Sequence, residues 1–487
     1  MSDDNSKRRW FVLLTVLLGQ FMLVLDATVV NVALPTIRAD LDLAPATLTW
    51  ITNAYLIAFG GLLLLFGRLG DLVGRRRVFL IGIALFTVAS ALCGLATTAP
   101  LLVAARFIQG IGAAAAASVV LAIIATEFPE PAERAKAMSG YMFVSVSGGS
   151  SGLLVGGALT QALDWHWIFL VNLPVGVAAI VLGRRVLREA GAPGLGDGVD
   201  YLGAVLATAA AMSGIYALVA IAHHGWGSPW VLVPALAALA LLAMFFAVES
   251  THASPLLPLR VLRIKSLMAS SVVRGFMIMG MYSVFFFGVL ELTQSLGFGP
   301  LRVGAAFLPM TGTVAILSLG NAAKLVRRFG PRTTALGGLT IIVLALAVFA
   351  RIAPDAPYWP YRFGAYALLG LGSGCSFLPL LTIAMQDVPP RDAGLGSAII
   401  NLSLQLSSAV DLAVLVTVAS VHAEHEVARG AQPAAAVLDG YRFGYTAAAI
   451  GVAIGWVLAF FLFRKSGAAL PAGEPRRVDD HGRRFAE

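Results

Sequence analysis

The chain has 487 residues, of which 58% are hydrophobic and only 12% are charged, and its formal net charge is +8 at pH 7. Soluble globular domains carry about 25% charged residues, so this composition excludes a soluble protein and indicates an integral membrane protein. The positive charge does not require a nucleic acid partner, because basic loops beside the anionic headgroups of the lipid bilayer give a membrane protein the same balance.

Apolar runs of about 20 residues, each long enough to cross the bilayer as one helix, recur along the whole chain. They begin near Phe11, Leu48, Val78, Leu101, Ala137, Trp167, Leu202, Pro229, Leu267, Val303, Thr334, Phe363, Leu395 and Tyr445. The sequence therefore predicts an all-α integral membrane protein with 14 transmembrane helices. The first run is too long for the apolar core of a signal peptide, so we expect it to remain as the first helix.

An even number of helices places both termini on one side of the membrane, and the positive charges identify that side. Connections on the side of the N-terminus carry 26 Lys and Arg residues. The opposite side carries six, namely Arg38, Arg302, Arg351, Arg362, Arg429 and Arg442. Because Lys and Arg accumulate in cytoplasmic loops, both termini are predicted to be cytoplasmic. The excess of Arg over Lys suggests a GC-rich bacterial genome, and hence a bacterial plasma membrane.

The first predicted helix contains one charge, Asp26, and the fourth contains Arg106. A carboxylate inside the membrane costs roughly 2.5 to 3.5 kcal/mol on insertion scales, so a compensating partner is expected. At about 1.5 Å of rise per residue the two side chains fall at similar depths, and we expect them to pair. Separation of the pair would let the carboxylate take up a proton. A static ion pair that joins the two helices is the alternative.

Two connections resemble each other. The one after the second helix reads "GRLGDLVGRRR" (Gly67–Arg77), and the one after the tenth reads "AKLVRRFGPRT" (Ala323–Thr333). Alignment of Gly74 with Gly330 gives an offset of 256 residues, which is more than six helices need. This duplication predicts two six-helix bundles with a substrate site between them, and two additional helices in the middle of the chain.

The predicted organisation has four parts, separated by composition. A linker with several Gly residues and a Pro, "EAGAPGLGDGVD", follows the sixth helix. We predict an N-terminal six-helix bundle (1–187), the linker with two additional transmembrane helices (188–250), a C-terminal six-helix bundle (251–466) and a disordered cytoplasmic tail (467–487).

The fifth helix carries a face of small residues. Gly148, Gly152 and Gly156 recur at intervals of four, and Gly157 follows them. Such spacing lets two helix backbones approach closely, and we expect this face to act as a gating hinge.

Two further acids, Glu291 in the ninth helix and Asp411 in the thirteenth, also lie in apolar runs. At about 1.5 Å of rise per residue from the helix ends, Asp26, Glu291 and Asp411 all fall in the external half of the membrane. Three carboxylates around a low-dielectric cavity suit an exchange in which protons and a cation compete for the same charge. For Glu291 the alternative is an interfacial residue near the external end of its helix.

Candidate contacts for an apolar or cationic ligand are Asn31, Tyr55, Met277, Tyr282 and Phe286, of which the last three belong to a Met- and aromatic-rich stretch of the ninth helix. Met and aromatic side chains adapt to varied apolar ligands and can face cations. A packing or lipid-facing stripe is the alternative.

Neither a cofactor nor a metal is predicted. "HAEHE" (His422–Glu426), in the expected external loop before the last helix, offers metal-like ligands, but no further Cys or His cluster accompanies it. No phosphate loop of the GxxxxGK[ST] form occurs, so ATP dependence is not expected. The loops also offer no nucleophile with its base, which argues against an enzyme.

Four stretches follow one another along the chain: "LDATVVNVALP" (Leu25–Pro35), the loop Gly67–Arg77, "RFIQGIGAA" (Arg106–Ala114) and "WHWIFLVNLP" (Trp165–Pro174). In this order they resemble motifs of the major facilitator superfamily, and within it of the fourteen-helix drug:proton antiporters. The resemblance covers nearly the whole chain and implies the major facilitator fold, two six-helix bundles plus two extra central helices.

The resemblance also implies roles for single residues. Asp71 would lock the two bundles in the outward-facing state, within a cytoplasmic gating loop formed by Gly67, Asp71, Gly74, Arg75 and Arg76. On physical grounds this acid can pair with a neighbouring arginine and face a helix N-terminus, or it can be a compensating acid in a basic loop. Asp26 and Arg106 would have a coupling or substrate role.

Three positions depart from the family pattern: His166 stands where Arg is usual, Leu153 where Pro is usual, and Asp411 where Gly is common. The acid favours antiport, whereas Leu153 favours the alternative of a facilitator or importer of a small organic metabolite.

The resulting prediction is a secondary active transporter, a proton-coupled antiporter that exports lipophilic, cationic drugs or toxic compounds. Its predicted partners are that substrate, protons and the lipid bilayer. The resemblance implies a monomer and leaves a periplasmic adaptor open as a further partner.

Overall fold

The structure, a computed structural model, describes residues 2–43, 45–189, 200–251, 257–317, 321–353 and 355–463, and within these ranges it contains helices and no β-strand. In chain order the main helices are α1 Ser2–Asp40, α2 Pro45–Val73, α3 Arg75–Gly94, α4 Ala99–Glu127, α5 Pro131–Ala162, α6 Asn172–Val186, α7 Tyr201–His224, α8 Pro229–Thr251, α9 Lys265–Leu296, α10 Pro300–Ala306 with its continuation Leu308–Ile316, α11 Ala322–Phe349, α12 Phe363–Met385, α13 Ala393–Ala428 and α14 Pro433–Leu462. Short helical turns precede α6, α9, α12 and α13.

The helices match the predicted membrane spans. Thirteen in the described ranges are long and apolar enough to cross a membrane, and the shorter apolar segment Leu301–Ile316, within α10, lies where the tenth span was predicted. The all-helical membrane fold is thus confirmed. Much of the predicted linker (190–199) and the whole predicted tail (467–487) lie outside the described residues.

Several helices extend beyond the apolar runs that predicted them. The prediction of an external loop at His422–Glu426 is wrong, because α13 continues through this segment to Ala428. Ala and Glu propagate a helix in water as well as in lipid, so the end of an apolar run marks the membrane boundary and not the end of the helix.

The helices form two groups that meet along two seams. In the first group α1 packs on α5 and α6, and α4 packs on α2 and α3; in the second, α9 packs on α12, α13 and α14, and α12 also packs on α10 and α11. One seam joins α2 and α4 to α13. The other joins α5 to α10 and α12.

The two additional helices, α7 and α8, pack against each other, and α7 also packs against α2 and α13 at the first seam. The rings of Trp50 and Tyr216 stack at 5.9 Å, and Trp226 donates a hydrogen bond to Thr417 at 3.1 Å. The α7–α8 hairpin therefore contacts both groups.

The two similar loops have similar conformations. Gly74 and Gly330 both have positive φ, 109° and 79°, and each breaks the path between two helices at a conformation that favours glycine. Arg76 donates to the carbonyl of Arg184 near the end of α6 at 3.1 Å. Arg332 donates to the carbonyl of Phe460 near the end of α14 at 2.8 Å. The loop is thus repeated in structure as well as in sequence.

Candidate functional site

Asp71, near the end of α2, joins the two helix groups on the predicted cytoplasmic side. Its carboxylate accepts hydrogen bonds from the backbone N–H groups of Gly394 and Leu395, both at 3.0 Å, at the N-terminus of α13. Arg75 donates to the same carboxylate from Nε at 3.0 Å and from Nη2 at 2.8 Å. A helix N-terminus presents unpaired N–H groups and a positive dipole end, so the carboxylate closes the seam there.

The rest of the loop supports this contact. Arg75 also donates to the carbonyl of Pro390 at 2.7 Å. A Cβ at Gly67 would overlap Ala398, so glycine allows α2 and α13 to touch. Gly74 and Arg76 shape the turn into α3 instead.

We expect Asp71→Asn to loosen this closure without preventing membrane insertion. The charged contact to the helix end is worth up to about 2 kcal/mol, which corresponds to roughly 5- to 30-fold in the ratio of closed to open molecules. A cysteine at buried Ala398 should then react faster with a membrane-impermeant maleimide in inside-out vesicles. Asp387→Asn, at an exposed position on the same side, is the matched control. Equal labelling rates in Asp71→Asn and in the control would rule out the closure role.

Asp26 lies at the centre of a buried hydrogen-bond network, with 0% of its surface exposed. Its Oδ2 accepts from Arg106 at 2.6 Å, and its Oδ1 accepts from Gln109 at 2.8 Å and from Asn172 at 3.0 Å. Ser90 accepts from the same Gln109 amide at 2.8 Å. The carboxylate is fully enclosed by donors.

Arg106 is held as firmly as its partner. Nη1 also donates to Gln109 Oε1 at 2.6 Å, and Nε donates to the carbonyl of Ile51 at 3.1 Å. The guanidinium lies 4.4 Å from the ring centre of Tyr55. The network ties α1, α2, α3, α4 and α6 together, which is the arrangement expected of a static ion pair.

Sequence reasoning missed three side chains of this network, Ser90, Gln109 and Asn172. Gln109 and Asn172 both occur inside the stretches that carry the family resemblance, "RFIQGIGAA" and "WHWIFLVNLP". Their positions in those stretches were the available signal. Spacing alone could not relate them to Asp26, because they come from helices that are distant in the chain.

Glu291 has an arginine partner that residue spacing did not reveal. Arg362 lies in the short turn before α12, in the connection where it was counted, but its side chain is buried and donates to Glu291 Oε1 from Nη2 at 2.6 Å and from Nε at 3.2 Å. Tyr445 donates to Oε2 at 3.2 Å. Glu291 is therefore a buried residue, and its alternative as an interfacial residue is wrong.

The arginines of the two ion pairs are related by the duplication, whereas the acids are not. Arg362 follows Arg106 by 256 residues, the offset that separates Gly330 from Gly74, but Glu291 follows Asp26 by 265. The first pair joins α1 to α4, and the second joins α9 to the short turn that leads into α12. The offset was the signal in the sequence that could have identified Arg362.

Asp411, on α13, has a different environment from the other two acids. One of its oxygens, Oδ2, is buried and has no hydrogen-bond partner within the described part of the chain. The hydroxyl of Tyr282 lies near it and contacts Ser408. The three acids thus occupy three separate surroundings, two with an arginine and one without any salt-bridge partner in the described ranges.

The residues that were predicted to contact a ligand differ in how far their side chains are exposed. Tyr282 and Phe286 expose 40% and 37% of their surface, whereas Tyr55 and Met277 are buried in packing. The side chain of Asn31 lies outside what the structure describes. Of these residues, Tyr282 is the one that lies next to Asp411.

The glycine face of α5 packs against α1 inside the first group. A Cβ at Gly148 would meet Val24 at 2.9 Å, and one at Gly156 would meet Val29 at 2.7 Å. At Gly152 it would overlap Thr28, and Gly157 is buried as well. The face thus allows close packing of α5 on α1, and α5 runs without interruption through it.

Comparison with known proteins agrees with this architecture. The family model described as Major Facilitator Superfamily matches residues 16–199 and 198–410. The puromycin resistance protein of Streptomyces alboniger is 39% identical over 462 residues, which cover 93% of this chain and 91% of that protein. The cephamycin export protein CmcT of Amycolatopsis lactamdurans is 36% identical over 402 residues, covering 82% and 83%. The solved structure of the human organic anion transporter MFSD10 (TETRAN) aligns with a TM-score of 0.65 at 15% identity, covering 93% of this chain and 99% of that one, and it supports the fold alone.

Proposed function

The chain belongs to the major facilitator superfamily, and from this premise we propose that it is a proton-coupled antiporter that exports lipophilic, cationic compounds from a bacterial cell. It is a membrane transporter rather than an enzyme, and its relatives are named for antibiotic resistance and export. The proposal concerns the finer points: the use of protons, the charge of the substrate, and the plasma membrane with both termini in the cytoplasm. It takes the protein to act as a monomer.

The environment of Asp411 carries the proposal. A buried carboxylate without a counter-charge must bind a cation or a proton, because a bare charge in a low-dielectric site costs several kcal/mol. A proton and a cationic compound therefore exclude each other at this position. Release of one upon binding of the other is the elementary step of antiport.

The surroundings suit such an exchange. Tyr282, next to Asp411, is partly exposed, and Phe286 follows one turn later on α9. Aromatic rings can contact both the apolar body and the positive charge of a lipophilic cation. Ser408, which precedes Asp411 by three residues on α13, supplies a hydroxyl that contacts Tyr282.

Other acids have supporting roles in this proposal. Asp26 and Glu291 are each held by an arginine, so we assign both pairs to joining helices within their groups. A coupling role for Asp26 would require its network to break during transport. Asp71 closes the cytoplasmic end and is released when the groups separate there.

The test is transport in proteoliposomes under an imposed pH gradient, with rhodamine B ethyl ester as the lipophilic cation and an internal pH dye as second readout. We expect the flux of the cation to reverse when the gradient is reversed, with opposite proton movement. Protein-free liposomes correct for leakage. A flux that follows only the gradient of the compound itself would establish the facilitator alternative.

A further inference from the structure

Arg274, on α9, is a buried cation that the proposed mechanism does not use. Its side chain exposes 0% of its surface, and none of its three nitrogens has a hydrogen-bond partner within the described residues. The guanidinium lies 4.9 Å from the ring centre of Phe377 on α12 and faces Tyr141 on α5. Within the described part of the chain it thus contacts one aromatic ring, lies near a tyrosine and has no hydrogen-bond acceptor.

The other two fully buried arginines of the described chain each have a carboxylate partner, which Arg274 does not have within that part of the chain. Arg106 and Arg362 each contact a carboxylate at 2.6 Å. A guanidinium carries five N–H donors and no acceptor, so an unpaired one is costly to bury. Ser271, one turn before Arg274, has a buried hydroxyl that also has no partner in the described ranges. The site therefore offers several donors and needs an anion.

Its position suits a ligand that enters from the cytoplasm. Arg274 lies nine residues after the start of α9 and Tyr141 ten residues after the start of α5, which places both about 13 to 15 Å from the predicted cytoplasmic ends. The two residues face each other across the seam that joins α5 to the second group. Separation of the groups at Asp71 would open this seam from the cytoplasmic side.

We propose that Arg274 binds an anionic group, such as a carboxylate, of the exported compound. The fork of N–H donors can hold a carboxylate through two parallel hydrogen bonds, and the rings of Phe377 and Tyr141 can contact its apolar part. The inference rests on the proposed export function and extends its substrate class from simple cations to lipophilic compounds that also carry an acid group.

Asp411 gives such a compound a second contact. Gly275, next to Arg274, lies so close to Ser407 of α13 that a Cβ there would overlap it. Asp411 follows Ser407 by one turn, so it lies about 6 to 8 Å further along the membrane normal than Arg274. A compound with a cationic and an anionic group can thus satisfy both uncompensated charges.

The experiment compares two dyes that differ by one ester. Rhodamine B carries a free carboxylate, and its ethyl ester carries only the positive charge. Binding to the purified full-length protein is measured by fluorescence polarisation in a non-ionic detergent. We expect Arg274→Gln to raise the Kd of rhodamine B about tenfold or more and to leave the Kd of the ester within about twofold, because charge-assisted contacts to the carboxylate are lost. Arg429→Gln, at a highly exposed arginine, is the matched control and should change neither.

Each other outcome overturns the proposal. Equal Kd values for rhodamine B in the wild type and in Arg274→Gln would show that the arginine does not contact the carboxylate. An equal rise in the Kd of both dyes would show a general structural effect of the substitution. Arg274→Lys checks this, because it keeps the positive charge and should bind rhodamine B more tightly than Arg274→Gln does. If phosphatidylglycerol in mixed micelles binds in an Arg274-dependent manner while rhodamine B does not, the site belongs to a lipid headgroup.

The proposed function fails separately. If neither dye binds the wild type, substrate recognition as proposed is wrong, and the inference falls with it. If only the ester binds the wild type, cation export stands and the anion site is rejected.

Discussion

Asp411→Asn is expected to abolish the release of protons when a lipophilic cation binds, while the protein remains folded. According to the proposed mechanism, the cation replaces a proton on a carboxylate that has no arginine partner in the described chain. Asparagine has nearly the same shape as aspartate but has no proton to release near neutral pH. The measurement is the pH change in weakly buffered detergent solution on addition of rhodamine B ethyl ester.

Two further variants make the result specific to Asp411. Asp355→Asn changes an exposed acid in the same way and should release as many protons as the wild type. Asp26→Asn separates this proposal from the alternative in which the first ion pair is the coupling site, since any properly folded fraction of it should still release protons. Undiminished release from Asp411→Asn would place the exchange on another acid and reject the role of Asp411.

The sequence predicts those features that depend on one helix or one loop at a time. The membrane spans follow from the length of the apolar runs, and the repeated loop follows from aligning Gly74 with Gly330. Depth along a helix also brings Asp26 to the level of Arg106, and the structure contains this pair at 2.6 Å. Each of these inferences needs only residue spacing.

The sequence could not predict which buried charges are compensated. Whether Asp411 or Arg274 has a partner depends on how helices rotate and pack against one another, which spacing along one helix does not determine. The pairing of Arg362 was missed because this residue lies at the boundary of its apolar run, where a charge is equally consistent with solvent and with a buried pair. Packing decides between the two, and here the neighbouring Glu291 provides the counter-charge.

The second large effect is expected for stability at the Asp26–Arg106 pair. Asp26→Asn leaves the guanidinium of Arg106 buried without its carboxylate, and loss of one partner of a buried ion pair costs about 3–5 kcal/mol. Asparagine keeps one acceptor oxygen, which can still accept from Gln109 and Asn172, but it presents an NH2 group in place of the oxygen that accepts from Arg106. We expect a corresponding fall in the free energy of unfolding in mixed micelles titrated with SDS, and a lower yield of protein in the membrane.

The double variant Asp26→Asn/Arg106→Gln distinguishes an ion pair from two independent residues. Removal of both charges avoids leaving a bare one, so the double variant should be more stable than Asp26→Asn alone. Additive losses would contradict the pairing.

Arg274→Gln provides the opposite case within the same protein. This substitution removes a buried charge that has no carboxylate partner in the described chain, so it should leave the stability unchanged or raise it, whereas Arg106→Gln should lower it. The two arginines are equally buried, and the difference between their variants therefore isolates the effect of the counter-charge. If both substitutions destabilise the protein equally, burial and packing alone determine the loss of stability. The transport proposal would then lose support, because it depends on a difference between buried charges with a counter-charge and buried charges without one.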